Sequence, residues 1–232
     1  NATFNSANAD IQIRGGATDP MRLGRGVGAV NTNTAVGVRA INAVTSGSQN
    51  TALGFETLLT TNAGAANTAI GNRVLRSNGV GNKNVGIGSD VMLVNLSGSK
   101  NVGLGNNSLE TLSTGDANVC IGHYAGYGVT GTGNVLIGPA DDENSTNATF
   151  QPPNASGNRQ LVIGSGTEYW IRGDANFDVT LNNDVTVNND LTVRGDLVVE
   201  GVTTSVESII VQIADKNIEL ASVVITTFSA VW

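Results

Sequence analysis

The sequence predicts an all-β protein. A β-solenoid or β-roll of 17-residue coils is followed by a hexad-repeat triangular β-prism, which makes the chain an intertwined homotrimer. Three observations predict this. One pentapeptide shape returns with a fixed 17-residue period, starting at Asn33 (NTAVG), Asn50 (NTALG), Asn67 (NTAIG), Asn84 (NVGIG), Asn101 (NVGLG) and Asn118 (NVCIG). The next copy, NVLIG at Asn134, comes one position early. From Asp178 a second period takes over: DVTLNN, DVTVNN, DLTVRG, DLVVEG. The composition is that of a thin fibrous β protein. Aromatics are 4% and charged residues 13%, with 30 glycines in 232 residues, a poor match to a globular enzyme with an aromatic core. Regular apolar positions and many β-branched residues argue against disorder.

Residues 1–32 carry an alternating Ile11-Gln12-Ile13 and a Gly-rich run, and read as an N-terminal cap or connector. Residues 33–165 are the solenoid. A 17-residue period is too short for a helix pair or a propeller blade and suits one coil, stabilised by its neighbours. With the Asn counted as position one, the pentapeptide is a short strand. Its fifth residue, Gly37, Gly54, Gly71, Gly88, Gly105, Gly122 and Gly138, marks a bend. Position nine is Ile41, Leu58, Leu75, Met92 and Leu109 and is expected to mark a second strand. Position fifteen is Gly47, Gly64, Gly81, Gly98 and Gly115 and closes the turn. Roughly eight coils stacked about 4.8 Å apart give a body about 40 Å tall.

Side chains alternate along a strand. Position four is always Val, Leu or Ile, and is assigned to the coil interior. Position three is Ala, Gly or Cys until Leu136, so the opposite face should admit a close neighbour, such as another chain. Asn33, Asn50, Asn67, Asn84, Asn101, Asn118 and Asn134 should form an amide ladder, as stacked Asn does in cross-β assemblies. A final rung, QLVIG, begins at Gln160, well beyond one period from Asn134, so 141–159 is read as an inserted surface loop. Residues 166–177 hold Tyr169, Trp170 and Phe177 and read as an aromatic junction that caps the roll or plugs the junction to the prism.

Residues 178–206 are the hexads, with inward pairs Val179/Leu181, Val185/Val187, Leu191/Val193 and Leu197/Val199. Four hexads make barely more than one coil of a single-chain β-helix. Three chains, each giving one side of a prism, make every hexad part of a complete layer. Residues 207–232 are strand-like.

The rungs "NTAIG" and "NVGIG" resemble the head repeats of trimeric autotransporter adhesins, which form trimeric left-handed β-rolls. The hexads and the phrase "TTSVESIIVQIADKNIELA" are similar to tail-fibre and other structural proteins of tailed phages, notably those infecting marine cyanobacteria. The rung motif covers about 33–138 and the phage-like phrase about 178–221. The 17-residue period is longer than that of the adhesin heads. The resemblance implies an elongated trimeric fibre in a virion, outside the cell. Its partners would be copies of itself, other virion or tail proteins, and a host surface glycan or protein. A bacterial trimeric adhesin is the alternative, and a membrane-anchor barrel with a coiled-coil stalk would discriminate it.

No enzyme chemistry, cofactor or metal is expected. The net charge of −7 offers no basic surface for nucleic acid. No apolar run approaches a membrane span. The first residue is Asn1, which reads as a processed product or a stretch of a longer chain. Cys120, the one cysteine, fills a small position-three slot and excludes an internal disulfide. His123, the one histidine, reads as an exposed turn residue without a catalytic partner. Glu168 and Asp174 flank Trp170 as a glycosidase carboxylate pair could, but solvation of a junction is the preferred reading. Asp141, Asp142 and Glu143 are weak calcium candidates on the loop. Gly24–Gly28 is a loose GxGxG that opens no helix. Arg-Gly-Asp occurs at 172–174 and 194–196, the second in a hexad turn where Gly and Asp are already required, so integrin binding is not expected; six Asn-X-Ser/Thr acceptors are expected from composition. A Thr array suited to ice binding fails after Thr34, Thr51 and Thr68.

Overall fold

The structure, a computed structural model, describes residues 11–13, 21–26, 32–44, 46–61, 63–140, 150, 152–166, 168–196 and 198. It divides into two units, Asn1–Val185 and Thr186–Trp232. Among the described residues every helix or strand element is a strand.

The pentapeptides are the strands β3 (Thr34–Val38), β5 (Thr51–Phe55), β7 (Thr68–Asn72), β9 (Val85–Ser89), β11 (Val102–Leu104), β12 (Val119–Ile121) and β13 (Val135–Ile137), with β14 (Leu161–Ser165) as the last rung. They stack in parallel with like positions paired, for example Thr51↔Thr68, Ala52↔Ala69, Leu53↔Ile70. This is a β-solenoid of six turns from Asn33 to Asn134, plus an enlarged one. Antiparallel strands flank the stack. β1 (Ile11–Ile13) and β2 (Met21–Gly24) form a hairpin that pairs onto β3. β15 (Glu168–Gly173) and β16 (Val179–Leu181) pair onto β14. A second wall is a four-stranded parallel sheet of two-residue strands: β4 (Ala43–Val44), β6 (Thr60–Thr61), β8 (Ser77–Asn78) and β10 (Val94–Asn95).

Every position-five glycine has φ between 127° and 143°, a region closed to residues with a Cβ. A Cβ at Gly71 would also collide with the carbonyl oxygen of Gly88 one rung on. The bend expected there is real, and only glycine makes it.

Two expectations are reversed. Position three, not position four, faces the interior: Ala35, Ala52, Ala69, Cys120 and Leu136 are fully buried. Position four turns outward, with Leu53, Ile87, Leu104 and Ile137 38–45% exposed. The reason is volume. The interior is already filled from the opposite corner by positions eight and nine, all of them fully buried from Ala40 and Ile41 to Ser108 and Leu109. Only a small residue fits against them. The close neighbour of the small face is therefore the chain's own far wall. Position nine, in turn, is not a strand. Ile41, Leu58, Leu75, Met92 and Leu109 have φ of 45–52°, so they sit in a left-handed corner and the second strand begins two positions later.

Volumes compensate between coils. Where position eight is Val74 or Val91, position three of the next coil is Gly86 or Gly103. A Cβ there would lie 2.5 or 2.6 Å from the valine Cγ1. Where position nine shrinks to Gly126, position three grows to Cys120 and then Leu136. The expected surface loop 141–159 is partly core as well. Gly126 donates to Phe150 O (3.5 Å) as Leu109 donates to Ala125 O (3.0 Å), so Phe150 takes the eighth-position slot, and it is buried. By Gly157 the chain is back in register, accepting from Asn134 Nδ2 (3.0 Å).

Candidate functional site

The asparagine ladder is built as expected. Each Oδ1 accepts the backbone N–H of the next rung's Asn at 2.9 Å, as at Asn50→Asn33, Asn67→Asn50, Asn84→Asn67, Asn101→Asn84, Asn118→Asn101 and Asn134→Asn118. In the regular coils each Nδ2 crosses its own coil to the position-fifteen carbonyl, for example Asn84 Nδ2 to Gly98 O (2.8 Å), and Asn118 and Asn134 reach the equivalent Gly131 and Gly157. All seven are buried, so the ladder is scaffold rather than a binding surface.

A second ladder was not anticipated. At position sixteen, Asn82, Ser99 and Asp116, and at its counterparts in the irregular coils Thr132 and Asn158, each accept from a backbone N–H one coil back. Its signal was present: all five carry a short side-chain oxygen. At position seven, charges alternate in sign from one coil to the next, as Arg39, Glu56, Arg73 and Asp90. Arg39 and Arg76 both bond the buried Glu56, and Arg73 pairs with Asp90 at 2.7 Å. That pairing raises the Arg73 pKa further above its usual value.

The surfaces able to meet a partner lie elsewhere. Outward side chains of the rung sheet are Thr or Val at position two and Val, Leu or Ile at position four, from Thr34 and Val36 to Val135 and Ile137. No charge interrupts the stripe. Seven rungs of half-buried and exposed aliphatics form one apolar face, and such contiguous patches mark interaction sites. The hexads give a second set. Val179, Leu181, Val185, Val187, Leu191 and Val193 are 44–70% exposed in the single chain. Among their described residues only Val179–Leu181 forms a strand, paired antiparallel with β15. Leu197 and Val199 lie outside the described residues.

The chemical candidates come apart. His123 is half-buried, with its ring edge-on to Tyr124 at 4.5 Å, rather than a free turn residue. Asp174 caps a turn: its Oδ1 accepts from the N–H of Asn176 (2.8 Å) and Asp178 (3.1 Å). Glu168 is exposed. Trp170 and Phe177 are 65% and 70% exposed, so they do not cap the roll, whereas Tyr169 does pack on the core. Gly24 ends β2, and a Cβ on Gly26 would lie 2.6 Å from Ile41 Cβ, a packing role; Gly28 is outside the described residues. So are Asp141, Asp142 and Glu143. Among the described residues no three His, Cys, Asp or Glu gather as a metal site. Burial pushes the Cys120 thiol pKa well above its usual range. No helix among them is long and apolar enough to cross a membrane. Compared with models of known families, with curated proteins and with solved structures, the chain matches none.

Proposed function

We propose that this chain is a subunit of a trimeric, rigid fibre of a phage virion, which spaces an attachment point from the particle and contributes to host attachment. The reading assigns no catalysis, cofactor or metal to it. Its partners are two further copies, neighbouring virion proteins and a host surface glycan or protein.

One observation carries the reading. A single chain leaves two periodic aliphatic surfaces in water, the outer face of the roll and the hexads. Each has a repeat that another copy would match in step: one rung for the roll, one hexad for the prism. Burying such a face contributes about 25 cal/mol per Å² of apolar surface. The stacked polar ladders support rigidity, because each coil is tied to the next by side chains as well as by the backbone.

The test is the mass of the full chain by light scattering. A trimer is expected. Ile87→Asp with Leu104→Asp, and separately Val185→Asp with Val187→Asp, should lower the mass while the β circular dichroism persists. A monomer at micromolar concentration overturns the assembly. The rung residues also favour the bacterial trimeric adhesin as a second reading, which predicts the same mass and a cell-surface rather than virion location.

A further inference from the structure

A recess of about 300 Å³ lies beside the last rung, lined by Pro153, Tyr169, Arg172, Asp174, Asp178 and Thr180. It falls within the first unit and needs one chain only. The β15–β16 pairing sets Arg172 opposite Thr180. The turn between these strands is pinned by Asp174, which also bonds Asp178 through the backbone (Asp174 N–H to Asp178 O, 3.1 Å). Arg172 is held 5.2 Å over the Tyr169 ring, and Tyr169 rests on the core. The walls are therefore positioned before any ligand arrives.

We propose that this recess binds a neutral saccharide. Its polarity is mixed: one guanidinium, two carboxylates and a hydroxyl are among its lining groups. A purely anionic ligand meets Asp174 and Asp178, and a purely cationic one meets Arg172. A polyhydroxylated ring satisfies both, since each hydroxyl donates to a carboxylate and accepts from the guanidinium. Among the described residues Arg172 has no ion-pair partner and the Asp178 side chain no hydrogen bond within the chain, so both keep donors or acceptors for a ligand. Pro153 is exposed and offers an apolar surface to the C–H face of a sugar. The volume is at the small end for a ligand site, about 300 Å³, which suits a ring or two rather than a long chain. Such a site binds weakly alone and gains from repetition across copies.

The inference rests only on the attachment half of the proposed function. The experiment uses the full chain with trimers of glucose, mannose, galactose and rhamnose, read by saturation-transfer NMR and calorimetry. At least one should bind saturably. Asp178→Asn and Arg172→Gln should each weaken it about tenfold, the loss expected for a charge-assisted hydrogen bond. Asp178 is exposed, so its variant folds even where Arg172→Gln does not. Lys83→Gln, on a different stretch of the roll, should leave binding unchanged. No saturable binding by any of the four, binding indifferent to Asp178→Asn, or tighter binding of a uronate or an amino sugar overturns the proposal. Light scattering on the same samples keeps the two readings apart. A sugar-binding monomer defeats the assembly alone, and a trimer that binds no sugar defeats the recess alone.

Discussion

At position one a single amide meets three demands. It accepts a backbone N–H from the next coil, receives that coil's amide, and donates across its own coil. Asn84→Ala should therefore cost about 2–4 kcal/mol, because it strands the buried Asn101 N–H and takes one donor from Gly98 O. The shift in denaturation midpoint of the full chain measures it. Cys120 gives a second prediction at this scale. Burial holds the thiol protonated in the fold, while in the unfolded chain it ionises near about 8.5. Above that pH the unfolded state binds fewer protons than the folded one, so stability falls as pH rises, by about 1.4 kcal/mol per unit. Near neutral pH, well below that pKa, this group adds almost no slope. Midpoints from pH 7 to 10 should show the fall, and Cys120→Ala should remove it.

Coils are coupled through volume rather than through any one contact. Gly103→Ala drives a methyl onto Val91 Cγ1 and should cost about 1–3 kcal/mol. Val91→Ala alone leaves a cavity and should cost a similar amount. The double variant should recover most of the loss, since it recreates the pairing of Ala40 under Ala52. Additive losses in a double-mutant cycle would show that the two side chains do not share one space. These inverse pairs were readable in the sequence, because Val74 with Gly86 and Val91 with Gly103 stand at one common offset. The face assignment failed because alternation gives two faces without saying which is inside. The aliphatic position four looked like the core, whereas the true core is split between a small residue on the strand and large ones at the corner.

For the whole molecule, the same reversal turns the position-four aliphatics from filling into surface. Each chain carries a net charge of −7, so copies repel at long range while the outward stripe of positions two and four is uncharged. Raising salt from about 0.02 to about 0.5 M, which shortens the screening length severalfold, should increase the assembled fraction in light scattering. Association weakened by salt would mean that ion pairs, not the apolar face, hold the copies together. The hexads were legible as a period, but what covers their aliphatics was not, because in the single chain the described ones stay 44–70% exposed.

The sequence by itself determined the period, the all-β class, the glycine bends and the asparagine ladder. Each follows from one residue type recurring at one spacing, and backbone geometry leaves it a single use. The tertiary structure decided which face of the strand is inside, where the second wall runs, that Phe150 re-enters the core, and that Arg172, Asp174 and Asp178 share a recess with Tyr169. Those outcomes depend on how much space the opposite wall leaves and on which strands pair across a turn. Both are properties of residues far apart in the chain.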